Sequence, residues 1–346
     1  MLLRRCAHNA ARCCTLSLPL RRSMAAQAQR ASTEVLLYTE WENKRHRYKE
    51  LLQERGMTVL LHEEVKDWSS IGFAVAWKPP PGLLAQCPNL LAAMSLGAGV
   101  DHILQPGQVP ETVPILRIVD PRMAERMATW AVWGVISWQR RFEDYFRAQQ
   151  QRRWDLGIEG RDNLDNCDVA VGVLGFGLMG RATAEALVAL GYKVSAWSRT
   201  PKEHASIRCH HGDEGLRAFA SRLDVLVCLL PLTPDTQGIV DAQLLGWMPR
   251  GGAVINGARG GHLVEGDLLA ALDSGHVAFA LLDVFTTEPL PPESPLWAHP
   301  GVRITPHVAS MTTLEAAADQ IAANYRSVMA GRGPLPQNVV DRAAGY

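Results

Sequence analysis

No apolar run in this chain reaches the roughly 18 residues that a membrane-crossing helix requires, so no membrane partner is expected. There is no surplus of either charge: 35 Lys and Arg balance 35 Asp and Glu over 346 residues. That balance removes the basic footprint of a nucleic-acid-binding protein. Cysteine is scarce and unpatterned. Of seven, Cys6, Cys13 and Cys14 crowd the start, while Cys87, Cys167, Cys209 and Cys228 are scattered without a Cys-x-x-Cys pair. A disulfide framework is thereby excluded and a reducing environment expected. Cys209-His210-His211 has no partners at metal-ligand spacing, so it reads as a polar loop, and no metal is expected.

Acid is missing from the first 33 residues, which hold Arg4, Arg5, Arg12, Arg21, Arg22 and Arg30 before the first carboxylate, Glu34. An Arg-rich, acid-free, Ser/Ala-rich start is similar to a mitochondrial transit peptide. Residues 1–33 are therefore read as a leader and the destination as mitochondrial. The alternative is a cytoplasmic form starting at Met24.

What is present is most informative at Val169 to Gly180. An apolar run, Val169-Ala170-Val171-Gly172-Val173-Leu174, enters Gly175-Phe176-Gly177-Leu178-Met179-Gly180, and a helix-forming segment follows through Leu190. Strand, Gly-x-Gly-x-x-Gly and helix in this order predict a dinucleotide-binding unit. Gly175 would permit the tight turn, Gly177 the close approach of a pyrophosphate, and Gly180 the packing of helix on strand. The pyrophosphate would lie on the unpaired amides and positive end of the helix.

The next strand, Tyr192 to Trp197, lacks the acid that NAD sites place at its tip to bind the ribose 2′-hydroxyl. The tip reads Ser198-Arg199-Thr200-Pro201-Lys202. Two cations and no carboxylate would accept a 2′-phosphate, so the cofactor is expected to be NADPH, with NADH as a second possibility.

Strand and helix alternate along the rest of the chain. Strands are predicted at Val35 to Tyr38, Met57 to Leu61, Phe73 to Trp77 and Leu90 to Leu96. Further strands follow at Asp224 to Leu230, Gly252 to Ile255 and Val277 to Leu282, with helices over Lys44 to Arg55, Met123 to Trp154 and Leu314 to Met329. The alternation predicts α/β architecture with two doubly wound parallel sheets. The last helix is expected to return to the first domain. A discontinuous substrate domain is thus read over 34–122 and 308–346, around a dinucleotide-binding domain at 123–307.

Ligands in such folds collect at the carboxyl ends of strands. Arg259 follows one strand end, Glu288 another, and the run Val302 to Pro306 delivers His307. An imidazole suits proton delivery to a forming alkoxide. Glu288 would orient the ring and favour its imidazolium. Arg259 offers a planar fork of donors for a carboxylate and its neighbouring carbonyl.

Several ordered motifs point to one family. Besides the glycine turn, they are Ser95-Leu96-Gly97-Ala98-Gly99-Val100-Asp101, Leu230-Pro231-Leu232-Thr233-Pro234-Asp235-Thr236, Asn256-Gly257-Ala258-Arg259-Gly260, Asp283-Val284-Phe285-x-x-Glu288-Pro289-Leu290 and Pro306-His307-Val308-Ala309-Ser310. In these the chain resembles the D-2-hydroxyacid dehydrogenases, in their glyoxylate/hydroxypyruvate reductase branch, over essentially all of residues 35–346.

The resemblance implies a Rossmann-type nucleotide domain inserted in a flavodoxin-like substrate domain, with the active site in the cleft between them. It implies reduction of glyoxylate to glycolate and hydroxypyruvate to D-glycerate. Arg259 would bind the substrate carboxylate and carbonyl, His307 would be the general acid, and Glu288 its partner. The amides of Ala98 and Gly99 would take the other side of the carboxylate, and Trp77 would line the substrate pocket or serve as a buried strand-end aromatic.

The resemblance also outlines the dinucleotide site. Gly175, Gly177, Leu178, Met179 and Gly180 would hold the pyrophosphate, and Ser198, Arg199, Thr200 and Lys202 the adenosine end. Leu230, Pro231, Thr236, Gly257, Ala258, His307 and Ser310 would line the remainder, with Asp283 on the nicotinamide carboxamide. A homodimer is expected from the family and from the aromatic helical stretch before residue 154. The alternatives are a broader 2-keto acid reductase of the same family and a dinucleotide-sensing corepressor scaffold. Phosphoglycerate dehydrogenase is disfavoured by the lack of a regulatory domain after the last helix, and formate oxidation by Glu, not Gln, at 288.

Overall fold

The computed structural model describes residues 33–158 and 164–345; the leader assigned to residues 1–33 lies, but for Thr33, outside them. The described chain forms two compact units. One holds the residues up to Asp120 and those from Thr312 onward; the other is Pro121–Met311.

In the first unit the strands are β1 (Glu34–Thr39), β2 (Thr58–Leu61), β3 (Ile71–Trp77), β4 (Ala92–Ser95) and β5 (Ile115–Leu116), in the order β2-β1-β3-β4-β5. Every pair is parallel, and the order is that of flavodoxin-like sheets. β3 is buried along its whole length, as a strand covered on both faces must be. Helix α1 (Glu42–Glu54) turns Tyr48, Leu51 and Leu52 inward.

The second unit holds a seven-stranded parallel sheet. Its strands are β6 (Ala170–Leu174), β7 (Lys193–Ser198), β8 (Arg208–His211), β9 (Val225–Cys228), β10 (Gly252–Asn256), β11 (Val277–Leu282) and β12 (Val302–Ile304). The order is β12-β11-β10-β9-β6-β7-β8. The chain winds outward from β6 to β8, then resumes at β9 on the other flank of β6. The carboxyl ends of β6 and β9 therefore flank the switch point at which such sheets bind dinucleotides. Apolar clusters cover both faces: Leu174, Phe219, Leu226, Val254 and Leu282 on one, Val135, Val171, Val173, Leu187 and Ile255 on the other.

Two local expectations change. The single helix read over Met123 to Trp154 is two, α2 (Pro121–Gln139) and α3 (Phe142–Gln150). Arg141 breaks it with a left-handed φ of 54°, and its Nε bonds Asp144 Oδ2 at 2.8 Å in place of helical continuation. Cys209-His210-His211, read as a loop, is part of edge strand β8, registered against β7. Its polar residues are tolerated because an edge strand faces solvent on one side.

Helix α4 (Leu178–Ala189) follows β6, and α5 (Gly212–Ala220), α6 (Ala242–Trp247) and α7 (Glu265–Asp273) complete the second unit. Helix α8 (Leu314–Met329) closes the first unit, capped by the Thr313 hydroxyl on Ala316 N.

Candidate active site

Gly175 ends β6 with φ of 98°, a conformation open to glycine at little cost. A Cβ there would lie 2.7 Å from the Leu229 carbonyl, beyond β9, and a Cβ on Gly180 would lie 1.8 Å from Gly175 O. Helix α4 is thus pressed against the turn, which only two glycines permit. At Gly177, by contrast, a Cβ would meet nothing within 4 Å. Gly177 caps α4 without a side-chain bond and no acid occupies the first turn, so the first amides face open space. This cradle fits a dinucleotide pyrophosphate in shape and in sign. Leu178 is exposed, whereas Met179 contacts the Ser310 hydroxyl at 3.8 Å, and that hydroxyl also donates to Met123 O at 2.8 Å.

At the tip of β7, the Ser198 hydroxyl donates to Thr200 O at 2.8 Å, and Arg199, Thr200 and Lys202 are exposed. No acid sits on the tip, but one arrives from another loop: Asp235 Oδ2 lies 3.2 Å from Arg199. After β9, Leu230 turns its side chain into the core, so only its main chain remains for a ligand. Thr236 is 4% exposed and its hydroxyl donates to Pro231 O at 2.7 Å; it staples its own turn.

Three adjacent parallel strands, β10, β11 and β12, deliver the reactive side chains from their carboxyl ends. Asn256, 1% exposed at the end of β10, templates the next turn. Its Nδ2 donates to Arg259 O at 3.0 Å, and its Oδ1 accepts from Ala258 N at 3.1 Å. Arg259 leaves this turn extended and half-buried, one of its guanidinium nitrogens donating to Ala258 O at 2.7 Å. Gly260 is obligatory here, since a Cβ would fall 1.9 Å from the Phe285 carbonyl carbon, after β11. Gly257 and Ala258 lie in the same turn.

Asp283, 2% exposed, organises the loop that carries the imidazole. Its carboxylate accepts from Thr305 Oγ1 at 2.5 Å, Val308 N at 2.8 Å and Ala309 N at 2.9 Å. Its main-chain carbonyl accepts from His307 N at 2.8 Å. Gripped on both sides, His307 adopts a left-handed φ of 54°, a strained state that surrounding structure must impose. Its Nδ1 lies 2.9 Å from Glu288 Oε2, while Glu288 Oε1 accepts from Phe285 N at 3.1 Å. A carboxylate can only accept, so the proton it meets is on Nδ1. The pair is only partly exposed, 31% for His307 and 17% for Glu288.

In the first unit, Ser95 ties the loop after β4, its hydroxyl donating to Gly99 O at 2.8 Å and accepting from Gly97 N at 3.1 Å. The amides of Ala98 and Gly99 have no acceptor among the described residues. Trp77, at the end of β3, is 6% exposed. It stacks on Trp41 at 5.0 Å and packs against His102 at 4.6 Å. Its burial is that of a packed strand-end aromatic. Asn256, Ser95 and Asp235 carry structural weight that their motifs contained but that no residue type alone announces.

Residues 132–309 match the model of the D-isomer specific 2-hydroxyacid dehydrogenase family, NAD binding domain. A glyoxylate/hydroxypyruvate reductase A of Serratia proteamaculans is 44% identical over 280 residues, 79% of this chain and 87% of that protein. The chain belongs to this family. Within it, the chain groups with the glyoxylate/hydroxypyruvate reductases and is an NAD(P)-dependent oxidoreductase.

Solved structures agree. A D-isomer specific 2-hydroxyacid dehydrogenase of Xanthobacter autotrophicus Py2, in complex with NADPH and MES, superposes with a TM-score of 0.81 at 39% identity, covering 91% of this chain and 100% of that one. An NADPH-dependent glyoxylate/hydroxypyruvate reductase of Sinorhizobium meliloti, with NADP and sulfate, gives 0.82 at 36% identity and the same coverage. These relatives correct one expectation. They come from bacteria, which have no mitochondria, so the mitochondrial destination read from the arginine-rich start does not hold.

Proposed function

We propose that the protein reduces glyoxylate to glycolate and hydroxypyruvate to D-glycerate with NADPH, His307 acting as general acid. The observation that carries this reading is the His307–Glu288 pair at 2.9 Å, on a loop whose strained backbone Asp283 fixes. An imidazole held at a set position suits proton delivery.

The bound dihydronicotinamide would supply the hydride. The chain's residues do the rest. Arg259 binds the keto acid carboxylate and polarises the adjacent carbonyl. As the carbonyl carbon accepts the hydride, its oxygen gathers charge, and His307 Nε2 releases a proton to it. Glu288 holds the ring and offsets its positive charge before that transfer. The first-turn amides of α4 hold the pyrophosphate, and Arg199 with Lys202 faces the 2′-phosphate. Asp283 acts through the His307 loop, with acceptor capacity left for the carboxamide.

We also assign a homodimer. Trp133 is 41% exposed, Phe146 50%, Trp154 91% and Leu156 79%, large apolar surfaces that association would bury. Sedimentation analysis is expected to give twice the 38.0 kDa chain mass; a monomer at micromolar concentration contradicts the assignment.

The activity is tested by steady-state oxidation of NADPH and NADH with glyoxylate, hydroxypyruvate and pyruvate. The reading predicts turnover with NADPH and the first two acids. Turnover confined to pyruvate would overturn the substrate assignment, and turnover confined to NADH the cofactor assignment.

A further inference from the structure

The tip of β7 lacks an acid, yet Arg199 meets one. Asp235 reaches it from a turn 36 residues further on, after β9. That turn is rigid. The Thr236 hydroxyl accepts from Thr233 N at 2.9 Å and donates to Pro231 O at 2.7 Å. The amides of Thr236 and Gln237 both bond Thr233 O at 3.0 Å, and the amide of Gly238 bonds Gly261 O at 2.8 Å. Asp235 stands out from this frame with its side chain 69% exposed, against 42% for Arg199. A carboxylate carried on a well-bonded turn therefore faces a long guanidinium. Lys202 has no ion-pair partner among the described residues.

We propose that Asp235 determines dinucleotide selectivity by holding NADPH preference down. Its carboxylate competes with the 2′-phosphate for Arg199 and repels that group, which carries close to two negative charges. The neutral 2′-hydroxyl of NADH meets no such repulsion. The rigid turn matters: its backbone keeps the acid close to Arg199 when the phosphate arrives. Exposed pairs of this kind are weak and screened by salt. The effect is therefore a few-fold adjustment, large enough to keep NADH usable and too small to exclude NADPH. This inference rests on Arg199 being the cation that faces the phosphate, as assigned above.

The test is fluorescence titration of the full-length protein with NADPH and with NADH, for the wild type, Asp235→Asn and Arg199→Ala. Asp235→Asn is expected to tighten NADPH about two- to fivefold relative to NADH, the gain shrinking at about 0.5 M salt. Arg199→Ala is expected to weaken NADPH and spare NADH. If Arg199→Ala leaves the ratio unchanged, the reading of Arg199 falls and this inference with it. If Arg199→Ala weakens NADPH while Asp235→Asn leaves the ratio unchanged, or lowers it, Asp235 sets no selectivity and the reading of Arg199 stands. Equal shifts for both dinucleotides in Asp235→Asn would mean a general change in the turn and would also overturn the proposal.

Discussion

Glu288 holds His307 through Nδ1 at 2.9 Å and is itself held, its second oxygen taking the amide of Phe285 at 3.1 Å. The carboxylate is thus anchored to the end of β11 while the imidazole is anchored, through Asp283, to the same strand end. Both partners of the pair are thus referred to one strand end, the kind of support that holds a side-chain geometry to within tenths of an ångström.

Replacing Glu288 with Gln keeps the volume and removes the charge. The amide oxygen can still accept a hydrogen bond from Nδ1, but it no longer places a negative charge beside the ring. Turnover of keto acid is expected to fall about 10- to 100-fold, less than loss of the donor itself, with dinucleotide affinity unchanged. Steady-state kinetics with a parallel fluorescence titration checks this; an unchanged kcat would remove Glu288 from the mechanism.

Asn256 is a structural device with a kinetic consequence. Its side chain bonds the main chain on both sides of Arg259's turn while almost wholly buried. Asn256→Ala leaves a buried carbonyl and a buried amide without partners, at a cost of about 1–3 kcal/mol. Thermal unfolding is expected to move down by several degrees, and the KM for keto acid is expected to rise because Arg259 is no longer aimed. A melting temperature and KM both equal to the wild type's would contradict this role.

The motifs made much of this legible in advance. The glycine turn, the missing acid on β7 and the parallel α/β alternation follow from local chemistry: glycine is tolerated where a Cβ collides, and buried parallel strands are continuously apolar. What escaped reading depends on contacts between distant residues. Asp235 faces Arg199 only because β9 lies beside β6 in the sheet and not beside β8. The helix break at Arg141 is a backbone event in a residue that normally favours helix. β8 is too short and polar to register as a strand until β7 provides a hydrogen-bonding edge.

The cysteines offer a check on the burial pattern that is independent of activity. Burial pushes the Cys228 thiol up to about 12 and that of Cys87 up to about 11, whereas Cys167 is exposed. Because the thiolate is the reactive form, alkylation of the native protein at about pH 8, mapped by mass spectrometry, is expected to modify Cys167. Cys87 and Cys228 are expected to react only on unfolding. Rapid native labelling of Cys228 would contradict its burial at the end of β9.

The central claim is that His307 delivers the proton. Single-turnover reduction of glyoxylate by His307→Gln at saturating NADPH, followed by loss of nicotinamide absorbance, tests it most directly. The account predicts a rate lower by about 10²–10⁴, with NADPH affinity and melting temperature close to wild type. A rate within a few-fold of wild type would contradict it and assign proton delivery to another group.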